Sequence, residues 1–215
     1  MNLHILKPRK ALNKAFLKVK PNRTEIDRFK ANLSQLLDRI NDSESEEFHK
    51  NLVIDFLKKT YYDPEYFINT KGRNDLVIHN GNNARSSVGV ILEAKKPTNR
   101  SEMVSTQNLN IKAFHELVLY YLKERIALKN LEVKHLVITN INEWFIFDAT
   151  IFDRLFAQNK GLVKQFNDFE GGRLAGTTTD FFYKQIAEPF ITALTADIVF
   201  THFNIQDYRE PLHNN

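Results

Sequence analysis

The chain has 215 residues, of which 42% are hydrophobic and 12% aromatic, enough to bury a full core in one domain with a small annex. It contains no cysteine, which excludes disulfides, cysteine nucleophiles and thiolate zinc sites, so any chemistry must come from oxygen and nitrogen groups. A net charge of +4 is compatible with a nucleic-acid partner without requiring one. The apolar stretches fall short of the roughly 18 to 20 residues of a membrane span, and the start Met1 to Lys7 lacks a signal peptide's apolar core. The expected location is the cytoplasm.

In chain order, the first 23 residues form a basic arm. Lys7, Arg9, Lys10, Lys14, Lys18, Lys20 and Arg23 occur there with no acidic residue among them, as suits either a phosphate-following arm or a solubilising terminus. A helix is predicted over Thr24 to Ile40, with Thr24 and Asp27 as a capping box, and a second over Ser43 to Lys59, with Phe48, Leu52, Val53, Phe56 and Leu57 on one side. Two β-branched runs follow, Leu76 to Ile78 and Val88 to Leu92. The turn-forming segment between them, Asn80-Gly81 through Ser86-Ser87, makes them an antiparallel hairpin. A long helix is predicted over Asn108 to Leu128, then strands at Val133 to Thr139 and Trp144 to Phe147. From Ala149 onward the pattern reads as helical, broken by a connector at Glu170 to Gly176 that lacks the lysine of a phosphate-binding loop. The expected fold class is α/β, a mixed sheet flanked by helices, with extra helices at both ends. The expected organisation is an arm over 1–23, a core with amino-terminal helices over 24–148 and a helical extension over 149–215.

Chemistry concentrates on the hairpin. Asp75 begins its first strand and Glu93-Ala94-Lys95 ends its second. Successive strand residues point to opposite faces, so Glu93 and Lys95 share one face and Ala94 points away. Two carboxylates and an ammonium gathered there would hold magnesium against a phosphodiester, the Ala94 carbonyl offering a further hard ligand, and would set a cation beside the attacking water. Replacing either carboxylate is expected to spare the fold, because it relieves repulsion between them. None of the seven histidines forms an HxH, HxxxH or HExxH pattern. His79, beside the hairpin loop, reads as a surface residue able to approach DNA. No GxSxG elbow points to a serine hydrolase.

Asp75, Glu93 and Lys95 resemble the D…ExK signature of the PD-(D/E)XK nuclease superfamily, with Asn74 where that family usually has proline. The resemblance implies a restriction-endonuclease-like αβββαβ core, with Asp75 and Glu93 as metal ligands and Lys95 orienting or deprotonating the water. Glu47, on the helix before the sheet, matches the family's supporting glutamate, although a first-turn acid also suits the helix dipole. Glu116 and Tyr120, four residues apart on one helical face, resemble the QxxxY motif that follows the nuclease core, with glutamate for glutamine, and imply contact with the site or a substrate phosphate. The segments Asn108 to Phe114, Val137 to Asn140, Glu143 to Ala149, Thr179 to Tyr183 and Ile186 to Phe190 are similar to the amino-terminal region of type IIG restriction-modification enzymes.

That likeness spans most of residues 24 to 195. It implies a magnesium-dependent endonuclease, with manganese as a substitute, acting on double-stranded DNA. The methyltransferase and target-recognition domains of such enzymes have no counterpart in these residues, so the chain is expected to be either a piece of a longer polypeptide or a nuclease separated from its specificity parts. The competing expectations are a non-catalytic DNA-binding or docking module with a nuclease-like fold, and a nuclease acting on RNA or repair substrates.

Overall fold

The computed structural model describes residues 1–71 and 74–213, the side chains of Asn74, Asp75, Pro211 and His213 excepted. The chain opens with a strand, β1 (Asn2–Leu6), and one helical turn, α1 (Pro8–Ala11). Helix α2 (Arg23–Asp38) begins one residue earlier than its apolar pattern predicted. Asn22 caps it: its side-chain oxygen accepts from Glu25 N at 2.9 Å, while its own N–H donates to Glu25 Oε2 at 2.8 Å. The capping box is therefore Asn22/Glu25, not Thr24/Asp27. Asparagine is as good a cap as threonine, and the glutamate reaches back far enough to close the pair. Helix α3 (Glu46–Leu57) starts at Ser45, whose hydroxyl accepts from Phe48 N at 3.1 Å.

Three strands follow as an antiparallel meander, β2 (Ile68–Lys71), β3 (Asn74–His79) and β4 (Val88–Ala94). The predicted hairpin is the β3–β4 pair. Its register slips between Ile78 and His79, a bulge at Gly89 on β4, where a side chain would collide with that of Asn80. Helix α4 (Lys112–Leu122) crosses over to β5 (His135–Thr139), which runs parallel to β4, and β6 (Glu143–Asp148) returns antiparallel. Then come α5 (Ala149–Phe152), α6 (Lys160–Glu170), α7 (Thr179–Phe181) and α8 (Glu188–Ala193), and last β7 (Asp197–Asn204). Among the described residues the mixed sheet has seven strands in the order β1-β7-β6-β5-β4-β3-β2.

Three of those strands depart from expectation. The segment after Ala149 is not helical throughout: Asp197–Asn204 pairs with β6 on one side and β1 on the other. Its apolar run suits either helix or strand by pattern, and the open edge of β6 decides the matter. The first residues of the basic arm are likewise a strand, with Met1's ammonium donating to Leu194 O at 2.7 Å. β2, a short polar INTK segment, carries too little pattern to read.

Apolar side chains cover both faces of the sheet. On one face, α2 and α3 pack Leu33, Leu37, Leu52, Val53 and Phe56 against Leu76, Ile78, Leu92 and Ala94. On the other, α4 and the later helices pack against Val77, Ile91, Leu136, Phe145 and Phe147. Phe114 on α4 lies 5.5 Å from Phe147 and 5.4 Å from Phe152, ring centre to ring centre, the tilted contacts that aromatic quadrupoles favour. Residues Ala113 to Leu122 are all buried, so α4 is a core helix wrapped on all sides and not a surface helix with one apolar stripe. Its phase against the sheet is thereby fixed. Among the described residues, no helix is long and apolar enough to cross a membrane.

Candidate active site

Strand alternation sends Leu92 and Ala94 to the α2/α3 face and leaves Glu93 and Lys95 facing α4. Both are buried, 1% and 4% exposed. The backbone N–H of Lys95 donates to Thr139 O at 2.8 Å, which holds the end of β4 against β5. The adjoining turn is tightly built: Ile141 takes φ +73°, its N–H donates to Thr139 Oγ1 at 3.0 Å and the Trp144 indole donates to its carbonyl at 2.8 Å.

The Lys95 ammonium sits 2.6 Å from Glu93 Oε1 and 2.6 Å from Glu116 Oε2, with Glu102 Oε2 at 3.8 Å and Glu46 Oε1 at 4.0 Å. Burial works to lower its pKa, but the Glu93 and Glu116 carboxylates outweigh burial and hold it above that of an ordinary lysine. An ammonium so placed keeps its proton. Of the two roles expected for Lys95, orienting the water calls for the ammonium, the form its neighbours favour, and deprotonating it calls for the neutral amine.

The helix-borne candidates divide. Glu116 belongs to the cluster. Tyr120, one turn on, is buried at 5% exposure within the core that α4 shares with the sheet. Glu47 does not join: it is exposed and pairs with Lys50. Its neighbour Glu46 turns to the site instead, Oε2 accepting from Lys96 N at 3.2 Å. The reason is helical phase. The buried stripe of α3 runs through His49, Val53 and Phe56, and Glu46, three residues before His49, lies on that stripe while Glu47 is rotated off it. The stripe, continued back by one turn, is the sequence signal that separates the two glutamates.

Other participants carried no signal in the sequence. Tyr183, ninety positions beyond Glu93, has its hydroxyl pKa pushed up to about 12, first by burial and then by the charge of Glu116, with Glu93 adding to it and Thr179 and Lys95 opposing. Lys112, at the start of α4, lies 2.7 Å from Glu102 Oε1. Burial works to lower its pKa, and the bond to Glu102 with the charge of Glu116 more than reverses this. Glu102 has its pKa lowered, burial being outweighed by its bonds to Lys112 and Asn99. His79, expected at the surface, is 2% exposed and ties the hairpin together through Ser86 O at 2.7 Å and Asn69 Oδ1 at 2.9 Å. It is a structural residue, buried because the loop folds back over it.

Position 75 precedes Leu76, which pairs with Leu92, so the antiparallel register carries it to the end of β4 where Glu93 stands. The Asp75 side chain itself lies outside the described residues. Among the described residues no group of three or more histidine, aspartate or glutamate side chains is disposed to hold a metal. The donor chemistry, hard carboxylate oxygen, fits magnesium or manganese, with Glu93 as the described member of the pair. A separate cavity of about 380 Å³ lies on the opposite face of the sheet, between α2, α3 and strand residues such as Ile78, Leu92 and Trp144. Its lining is apolar and aromatic, so it does not share this chemistry.

From residue 6 to residue 215 the sequence matches the model of a family described as a domain of unknown function, DUF7149. The chain belongs to this family. No curated protein and no solved structure matches it.

Proposed function

We propose that this chain is a metal-dependent endonuclease domain of the PD-(D/E)XK kind, hydrolysing phosphodiester bonds in double-stranded DNA as part of a restriction-modification system. The observation that carries the reading is the buried Lys95 ammonium held 2.6 Å from both Glu93 and Glu116 at the end of a central strand, alongside the strand that bears Asp75. The succession α3, β2, β3, β4, α4, β5, with the first three strands antiparallel and the last parallel to β4, agrees with an αβββαβ core and supports the same reading.

Asp75 and Glu93 would hold the divalent cation, which when bound supplies charge to a phosphate oxygen and lowers the pKa of a water. The remaining work falls to this chain's own groups. Lys95, kept protonated by its neighbours, donates hydrogen bonds to the water or to the oxygen on which charge develops. Glu116, rigidly placed by the Phe114 packing, holds that ammonium in line, and Glu46 and Glu102 set the field around it.

One observation favours a second reading, a non-catalytic DNA-binding or docking module: in this arrangement the Glu93 carboxylate is engaged by the Lys95 ammonium. Incubation of supercoiled plasmid with the chain in magnesium or manganese separates the two. The nuclease reading expects metal-dependent nicking that Asp75→Asn and Glu93→Gln each reduce by roughly 10²-fold or more. Absence of nicking by the wild type in both metals would overturn it, and preferential cleavage of RNA in a parallel reaction would move the substrate class.

A further inference from the structure

Two ammonium groups beside one carboxylate differ in depth. Lys95 is enclosed, its side chain 3% exposed, whereas the Lys112 side chain is 39% exposed. One carboxylate spans them, Glu102, with Oε1 2.7 Å from the Lys112 ammonium and Oε2 3.8 Å from that of Lys95. Asn99 Nδ2 donates to the same Oε2 at 3.1 Å, and Ala113 N–H donates to Glu102 O at 3.1 Å, which fastens the loop to the first turn of α4. Lys112 and Glu116 are one turn apart on that helix, so the outer cation stands above the inner cluster on the same face.

We infer that Lys112 is a substrate-binding residue for the proposed reaction: it receives a backbone phosphate of the nucleic acid at the mouth of the site, the phosphate taking the place of Glu102. This rests on the nuclease reading above. The exchange is between two anions for one cation. A half-exposed lysine–carboxylate pair is worth little in water, so giving up Glu102 for a phosphate costs little. The enclosed Lys95, held by two carboxylates in a dry setting, cannot change partners so cheaply and stays in place. The two lysines therefore divide the work: Lys112 acts on binding of the strand, Lys95 on the bond being broken. Glu102 is a positioning residue that keeps the Lys112 ammonium aimed over the site until the phosphate arrives.

The test measures nicking and binding of a mixed-sequence DNA duplex by the full chain carrying Lys112→Gln or Lys112→Arg, with unfolding temperature as the check on folding. Lys112→Gln should raise KM about tenfold with at most a threefold fall in kcat, and should lower the slope of log affinity against log salt by about 0.9, one phosphate contact. Lys112→Arg should restore most of the KM and the slope, since it keeps the charge. If the wild type nicks DNA while Lys112→Gln leaves KM and salt slope unchanged, or lowers kcat alone, the assignment of Lys112 is wrong and the nuclease reading stands. If the wild type neither binds nor nicks DNA, both fall together.

Discussion

Lys95 owes its character to its neighbours. A lone ammonium at this depth would carry a heavy desolvation cost, and Glu93 and Glu116, each at 2.6 Å, offset it. This revises the expectation that replacing Glu93 spares the fold by relieving repulsion between carboxylates: Glu93 is a counter-ion first. Glu93→Gln should destabilise the chain, by less than the roughly 3–5 kcal/mol of a wholly stranded charge because Glu116 remains. Chemical denaturation at neutral pH would measure it, and an unchanged midpoint would contradict the role. Lys95→Met removes a donor aimed at developing charge, so nicking should fall roughly 10²- to 10³-fold. The manganese-induced rise in unfolding temperature should persist, since the lysine does not ligate the ion. Near-normal nicking by this variant would take Lys95 out of the mechanism.

Among the elements, α4 does the positioning. It is buried from Ala113 to Leu122 and pinned through Phe114, and it carries Lys112, Glu116 and the buried His115. Its Nε2–H donates to Asn110 Oδ1 at 2.6 Å, and burial lowers its pKa from 6.5 to about 4. Between those two values the unfolded chain binds a proton that the folded chain refuses, so stability rises with pH across that window and falls as pH drops from about 6.5 towards 4. After solvent screening the loss should be at most about 2 kcal/mol. His115→Gln should flatten the fall in unfolding temperature between pH 7 and pH 4.5; an identical profile would place the acid sensitivity elsewhere. The edge strand β1 offers a second test of an element. Its five residues pair in parallel with Asp197 to Thr201, and deleting residues 1 to 6 should cost on the order of 2 kcal/mol, or roughly 4–8 °C in unfolding temperature.

For the whole molecule, β1 alters how the basic arm should be tested. Removing residues 1 to 23 would strip the sheet edge along with the charges, so a change in DNA affinity would have two causes. Lys14, Lys18 and Lys20 lie beyond β1 and α1 and are exposed, so replacing all three with glutamine should leave the unfolding temperature within a degree or two. If the arm follows a phosphate backbone, the salt slope should fall by about 0.9 for each phosphate no longer neutralised. An unchanged slope would make the arm a solubilising segment. Binding by these residues should in either case be weak and sequence-tolerant, roughly micromolar or poorer at physiological salt, since phosphate contacts carry no base information.

Local periodicity was enough to find the hairpin of β3 and β4, the shared face of Glu93 and Lys95, the long helix bearing Glu116 and the pairing-competent runs of β5 and β6, because each rests on residues within a few positions of one another. Strand alternation and helical repeat are properties of the chain itself. What the sequence left open were matters of partnership. The apolar run of Asp197–Asn204 becomes a strand because β6 and β1 offer it hydrogen bonds on both sides; Glu46 enters the site and Glu47 leaves it because α3 docks on the stripe through His49 and Val53. Tyr183 comes near enough to feel the charge of Glu116 and Glu93 only because the segment after α7 is folded against α4. Each of these depends on surfaces far apart in sequence meeting in one packing arrangement, and that choice is made by burial of the sheet's two faces, which no short window of the chain contains.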